Sequence, residues 1–379
     1  MAVTIRLSLI GALAASTALA GCNLAPAYMR PVSAVPAALP QDGVYPPATT
    51  DAQDITKIGW RDFFTDDRLR QVIQRGLDNN RDLQLAAANV LQARAQYHVQ
   101  RADLLPAISA SGAATYTNTA GGTAGSAVGG AGNGGATAAG STDIHYYAAT
   151  VGVSSFELDL FGRVRNLSKA ALEQYFATEE AQRSTRISLI AEIATAWLTI
   201  AADEDQLALS QKTLTTFDQT LQLTRAQFRI GVLSELESRQ AETNYQSARN
   251  DIAVLRTRIA KDRNALDLLV GAPVGPALLP CALGDVHAAI DVLPSGLPST
   301  VLLRRPDVLQ AEHNLIAENA NIGAARAAFF PTISLTAALG TIIGALGGLF
   351  GKGTGTYTAS PSISLPLFDA GRNKGNLDY

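Results

Sequence analysis

Apolar positions change their spacing several times along this chain, and each change predicts an element. From "WRDFFTDDRLRQVIQRGLDNN" through "RDLQLAAANVLQARAQYHVQRADLLP" helical character dominates, and Pro106 ends it. "AISASGAATYTN" and "YYAATVGVSSFELDLFG" then alternate weakly on either side of a Gly/Ala/Ser/Thr-rich loop. Two alternating runs of about ten residues, neither with a plain core face, fit a membrane β-hairpin better than a soluble one. After Gly162 the period becomes seven. Ile193, Ile200, Leu207, Leu214, Leu221 and Phe228 recur at that spacing within a proline-free stretch from Arg163 to Ile230. Past "GVLS", Tyr245, Ile252, Ile259 and Leu266 repeat the spacing, with Ala248, Leu255 and Leu269 three positions further on. Sustained sevens predict coiled-coil packing. The first of these helices would be roughly 100 Å long. Almost nothing apolar follows at a second heptad position after Trp197, so it packs shallowly and needs neighbouring helices. "VGAPVGP" ends the pair, and a Pro/Gly-rich linker runs to about residue 300.

The patterns occur twice. "DLQLAAANVLQARAQYHVQRADLLPAIS" from Asp82 aligns without gaps on "DVLQAEHNLIAENANIGAARAAFFPTIS" from Asp307. Identities include Asp82/Asp307, Asn89/Asn314, Arg101/Arg326, Pro106/Pro331 and Ser109/Ser334. Each copy continues as strand, Gly-rich loop, strand, closing on "LDLFGRVRN" in one and "LPLFDAGRNKGN" in the other. In the first copy Arg163 opens the long helical hairpin, whereas Arg372 stands seven residues before Tyr379. The repeat therefore predicts a second helical hairpin of about 100 residues that this sequence lacks. It is expected to be a C-terminal truncation, natural or experimental.

The N-terminus adds processing. "MAVTIRLSLIGALAASTALAGC" has basic Arg6, an apolar run and small residues at its end, which is a secretory signal. Leu19-Ala20-Gly21-Cys22 resembles a bacterial lipobox, implying cleavage before Cys22 and acylation of Cys22. Asn23, not Asp, follows, which by resemblance to sorted lipoproteins favours the outer membrane. Cys281 is then the lone remaining thiol, read as a small buried hydrophobe. A net charge of -3 without a basic stripe gives no reason to expect a nucleic-acid partner.

"GLPSTVLLRRPDVLQAEHNLIAENANIGAARAAFFPTISL" resembles the most characteristic stretch of bacterial outer-membrane efflux lipoproteins, the NodT-like branch of the TolC or outer membrane factor family. "GCNLAPAYMRP", Trp60, "FELDLFGRVR" and "PLFDAGR" agree in kind and order. The resemblance implies a mixed α and β membrane protein and a homotrimer. Long coiled-coil hairpins would form a periplasmic α-barrel. Two β-hairpins per chain, strands roughly 107–118, 146–160, 332–342 and 356–367, would give four strands to a twelve-stranded outer-membrane β-barrel. It divides the chain into a signal peptide (1–21), an acylated tether (22–60), a first repeat (61–272), a linker (273–300) and a second repeat (301–379). By the same resemblance, "RIGVLSELE" is a periplasmic tip where Gly231, Val232, Leu233 and Ser234 meet an adaptor protein. The bland alternative is that Gly231 is simply a turn residue.

Sharper chemistry fails. Gly130, Gly132 and Gly135 spell a dinucleotide fingerprint, but within a small-residue loop and outside any βαβ unit. "GGLFGKGT" has Gly353 where a phosphate loop needs Ser or Thr. His98, His145, His287 and His313 have no ligand spacing. Glu157 and Asp159 could pass for paired carboxylates, yet in an alternating strand they share one face near the barrel rim, solvated or facing the lumen. No enzyme, metal or cofactor is expected. The reading is a passive export conduit for small molecules in a tripartite, proton-driven efflux system with a periplasmic adaptor and an inner-membrane pump, lipid-anchored in the outer membrane. The rivals are a protein-secretion channel, a structural periplasmic lipoprotein without a pore, and an inactive fragment.

Overall fold

The computed structural model describes residues 23–31, 58–119, 142–280, 283, 288–289 and 299–379. The signal region, Cys22, Cys281, His287 and the Gly130–Gly135 run lie outside them. The helices are α1 (Trp60–Phe63), α2 (Asp67–Asn79), α3 (Arg81–Ala102), α4 (Arg163–Arg229), α5 (Glu235–Val270), α6 (Pro306–Ala327) and α7 (Arg372–Asp378). The strands are β1 (Ile108–Thr119), β2 (Thr142–Leu158), β3 (Thr332–Ile343) and β4 (Gly355–Ser364). The order α3-β1-β2-α4 recurs as α6-β3-β4-α7, so the sequence repeat is a repeat of elements.

The helical stretch from Trp60 to Pro106 is three helices, not one. Asp66 starts α2, its carboxylate accepting from the backbone N–H groups of Arg68 (2.8 Å) and Leu69 (3.1 Å). Asn80 then divides α2 from α3. Its backbone is extended (φ -62°, ψ 130°), its Oδ1 accepts from the Leu83 N–H at 2.9 Å, and its Nδ2 donates to the Leu269 carbonyl at 2.8 Å. One buried asparagine both breaks the helix and caps its successor.

The chain forms two compact units. Met1–Met29, Ala93–Gln174 and Asn314–Tyr379 make the first, and Arg30–Gln92 with Tyr175–His313 make the second. The core of the second unit sits where Leu69, Val72 and Ile73 of α2 meet Ile193, Trp197 and Ile200 of α4 and Leu266 and Val270 of α5, all fully buried. Each such side chain contributes roughly 1.5–3 kcal/mol. Trp197 completes its burial by donating its indole N–H to the Leu278 carbonyl at 2.9 Å. Gly76 admits this approach, since a Cβ there would lie 2.3 Å from Ile193 Cδ1. By length and composition α4 is apolar enough to cross a membrane, but its Leu189, Ile193, Trp197 and Ile200 are enclosed in this core.

Past Ala201 the packing of α4 thins as its pattern predicts. Leu221 is the one buried hydrophobe on the remainder of α4. Ion pairs hold the α4–α5 register there: Arg258 to Asp203 (3.0 Å), Arg263 to Glu204 (2.8 Å) and Arg225 to Glu242 (3.1 Å).

The first unit contains the sheet, antiparallel throughout in the order β1-β2-β3-β4. Its strands fall within a few residues of expectation. β2 starts earlier and stops at Leu158, and β4 stops at Ser364, leaving Leu365, Leu367 and Phe368 beyond it and exposed.

Candidate functional site

The two faces of the sheet differ sharply in chemistry. Pairing aligns Val151 with Leu339 and Leu339 with Tyr357, and likewise Val153 with Ala337 and Ala337 with Ala359. Ile333 pairs with Ile363, and Ala110 with Val151, on the same side. Ile108, Val151, Leu339, Tyr357 and Ile363 are all exposed on that apolar face. The opposite face aligns Ser111 with Thr150, Ser334 with Ser362, Thr336 with Ser360 and Ala338 with Thr358. Hydroxyls touch there across strands, Ser111 to Thr150 at 2.8 Å and Ser334 to Ser362 at 2.7 Å. An exposed apolar face opposite a hydroxyl face suits lipid outside and water inside, the reverse of a soluble sheet.

A β-bulge keeps the alternation of the two faces in phase near the helix end of β2. Val153 pairs with Ala337 but Phe156 pairs with Leu335, so Ser154 and Ser155 oppose Thr336 alone. Without the extra residue, Phe156 and Leu158 would turn to the hydroxyl face and Glu157 to the apolar one. Ser155 takes a positive φ of 53° and donates its N–H to Thr336 Oγ1 at 3.2 Å. The signal was present in "VSSF", where two apolar residues sit three apart.

Glu157 and Asp159 are not a carboxylate pair sharing a strand face. Asp159 lies past the end of β2. Each has its own arginine: Glu157 takes both the Nε (2.8 Å) and an NH2 hydrogen bond of Arg163, and Asp159 takes the backbone N–H (2.9 Å) and Nε (3.1 Å) of Arg165. Both pairs stitch the end of β2 to the start of α4, and neither carboxylate is free for acid–base work. Lys352 lies between strands β3 and β4 beside a short 3-10 turn, with no helix to form a phosphate loop. His98 lies on α3, His145 on β2 and His313 on α6, where its ring meets Phe176.

The far end of α4 is a compact turn. Val232 N–H bonds to the Gln227 carbonyl and Gly231 N–H to that of Phe228, each at 3.0 Å, with Gly231 at φ 79°. This is a Schellman stop, which only a residue tolerant of positive φ completes at low cost. Ser234 and Glu237 form a reciprocal capping box that starts α5. Of the four residues expected at the tip, Gly231, Val232 and Ser234 are exposed and Leu233 is half-buried. Ile230, 74% exposed, Val232, 69% exposed, and Leu236, 67% exposed, give the hairpin end an apolar point.

Residues 72–272 and 297–379 match the family model "Outer membrane efflux protein". The chain belongs to that family. This efflux protein is 44% identical over 361 residues to the toluene efflux pump outer membrane protein TtgC of Pseudomonas putida, spanning 95% of this chain and 72% of the relative. It is 38% identical over 367 residues to the cation efflux system protein CusC of Escherichia coli, across 95% and 74% of the two chains. The open state of the Neisseria gonorrhoeae MtrE outer membrane channel superposes with a TM-score of 0.75 at 37% identity, covering 94% of this chain and 75% of that one. The efflux protein is thus an outer-membrane channel component, with the family's trimeric architecture of β-barrel strands and coiled-coil helices.

Proposed function

We propose that this efflux protein is the passive outer-membrane duct of a tripartite exporter of small molecules. The two-faced sheet carries the reading. A hydroxyl-lined inner face solvates a water-filled lumen without offering a site that would hold cargo. Among the described residues β1 and β4 each leave one edge unpaired, and a lipid-embedded sheet is stable only when such edges close on further copies. Relatives named for toluene on one hand and a cation on the other share this chain's fold, which fits a duct whose cargo is chosen elsewhere. A proton-driven inner-membrane pump would supply energy, joined through a periplasmic adaptor that docks on Gly231, Val232, Leu233 and Ser234. Cys22 would carry the lipid, residues 22–60 would be its tether, and residues 61–272 and 301–379 would be two unequal repeats.

The test is efflux in the native host. Deleting the gene should raise intracellular accumulation of a fluorescent dye, and the intact gene should restore export. Val232→Asp should abolish restoration while leaving protein level and trimer intact, because a charge at the exposed point opposes an apolar adaptor contact. Full restoration by Val232→Asp would remove the tip from the docking surface. Unchanged accumulation on deletion would count against export altogether.

A further inference from the structure

The loop that joins β3 to β4 has a fixed backbone and exposed apolar side chains. The Ala345 carbonyl accepts from the Gly348 N–H at 3.0 Å and that of Leu346 from the Leu349 N–H at 3.3 Å, winding one tight turn. The Gly351 N–H closes on the Gly348 carbonyl at 2.8 Å, and Thr354 Oγ1 donates to the Gly351 carbonyl at 2.9 Å. The Ile342 N–H then bonds to the Thr354 carbonyl at 3.1 Å and ties the loop to the end of β3. A backbone held this way still leaves Leu346 62% and Phe350 83% exposed. Large apolar side chains displayed on a fixed loop mark a contact surface.

The turn also has a side. Ile343 pairs with Tyr147 in the same uninterrupted register that sets Val151 against Leu339, so alternation puts Ile343 on the apolar face. A Cβ on Gly348 would lie 2.8 Å from Ile343 Cδ1, so the turn folds back over that side chain, away from the hydroxyl face. Tyr147 and Tyr116 share this face and this end of the sheet, joined hydroxyl to hydroxyl at 2.6 Å. Tyrosines at the end of a lipid-facing band belong at headgroup depth. The length of β3 gives the same depth. Its 12 residues, rising about 3.3 Å each and tilted as in membrane barrels, cross roughly 30 Å of bilayer before the loop begins.

Charge completes the pattern. Lys352 is the only charged residue from Thr332 to Ser364. It is exposed, and among the described residues it makes no ion pair. The equivalent connection in the first repeat, residues 120–141, has by sequence no charge, no aromatic residue and no leucine. The hairpins repeat, but the chemistry of their loops does not.

We propose that residues 345–352 form a membrane foot: Leu346 and Phe350 enter the acyl chains of the outer leaflet, and Lys352 pairs with the phosphate of an anionic lipid there. The surface continues the lipid-facing side of the sheet, which assigns it to lipid and not to a protein partner. A lysine stem can lie along acyl chains while its ammonium stays among headgroups. The foot fixes the depth at which the barrel sits. The inference rests on the outer-membrane channel reading, in which α3, α4 and α6 lie in the periplasm and this loop at the outer leaflet.

The experiment uses the full chain as heat-resistant trimer in phosphatidylcholine vesicles. Phe350→Trp reports immersion. Its emission above that of the parent's Trp60 and Trp197 should be quenched about twofold or more by bromines on the lipid acyl chains. Leu339→Trp, at the middle of the apolar face, should be quenched as well, and Ser360→Trp, on the hydroxyl face, should not. Leu346→Trp supplies a second reporter should Phe350→Trp form no trimer. An unquenched loop reporter beside a quenched Leu339→Trp would overturn the foot while leaving the lipid-facing sheet standing. Loss of quenching at Leu339→Trp too would overturn both. The phosphate contact is read by the temperature at which trimer dissociates. Adding diphosphorylated lipid A to the vesicles should raise it in the parent and not in Lys352→Gln, and dephosphorylated lipid A should raise it in neither. An equal rise in parent and Lys352→Gln would overturn the role of Lys352.

Discussion

Asp203 follows Ile200 by three positions, and Asp262 follows Ile259 by three. These are the second heptad positions of the α4–α5 hairpin, where a coiled coil ordinarily has an apolar residue. Burial raises the Asp262 carboxyl above its ordinary value of 3.8, and the adjacent Asp203 raises it further by hydrogen bonding and like charge; Arg258 opposes the shift. Glu204 and Arg263, their neighbours in sequence, pair with each other. A folded carboxyl with a raised value binds its proton more readily than the unfolded chain does. Its cost to the hairpin is therefore present above the raised value and disappears as pH falls through it. Asp262→Asn should be more stable than the parent at about pH 7, with the gap closing toward about pH 4. Thermal unfolding at both conditions checks this, and a gap independent of pH would contradict it. Glycine has a different role at Gly271, which ends α5 with φ 74° and would place a Cβ 2.8 Å from the Asn79 carbonyl. Gly271→Ala should cost about 1–3 kcal/mol in chemical denaturation. The sequence shows such a glycine as a helix stop, but not that a second chain segment lies against it.

Among the elements, the long hairpin was the most legible. Its sevens located α4 and α5 within a residue or two, and the lack of second-position hydrophobes past Trp197 foretold the thin packing beyond Ala201. The wedge of α2 was not legible. Leu69, Val72 and Ile73 announce an amphipathic helix, but their partners Ile193 and Leu266 are far away in sequence, and only tertiary structure joins them. Trp197→Ala, at the centre of that core, should cost about 3–5 kcal/mol, read as a lowered thermal midpoint. Strand identity was legible from weak alternation, whereas which face meets lipid required the register and its bulge. The faces give opposite expectations for one substitution. Leu339→Lys, on the apolar face, should cost about 2–4 kcal/mol near mid-membrane and reduce heat-resistant trimer. Ser360→Lys, on the hydroxyl face, should leave trimer yield near the parent's. Equal damage from both would mean that the faces have been assigned wrongly.

At the scale of the whole molecule, one chain is an incomplete object whose surfaces state what they lack. The apolar sheet face suits lipid, and among the described residues the outer edges of β1 and β4 pair with no strand. The repeat was readable as aligned identities, and the two copies do share an order of elements. Their divergence at Gly323 and His98 was invisible without knowing that a Cβ on Gly323 would lie 2.7 Å from Ala25 Cβ. Four strands carry no lysine or arginine, and the one carboxylate on the hydroxyl face, Glu157, is held by Arg163. A lumen so lined should pass ions of both signs with little preference. The direct measurement is single-channel recording of the purified protein in a planar lipid bilayer. Discrete conductance steps of weak ion selectivity are predicted. Folded, heat-resistant trimer that inserts yet conducts nothing would contradict the claim that this chain builds a duct.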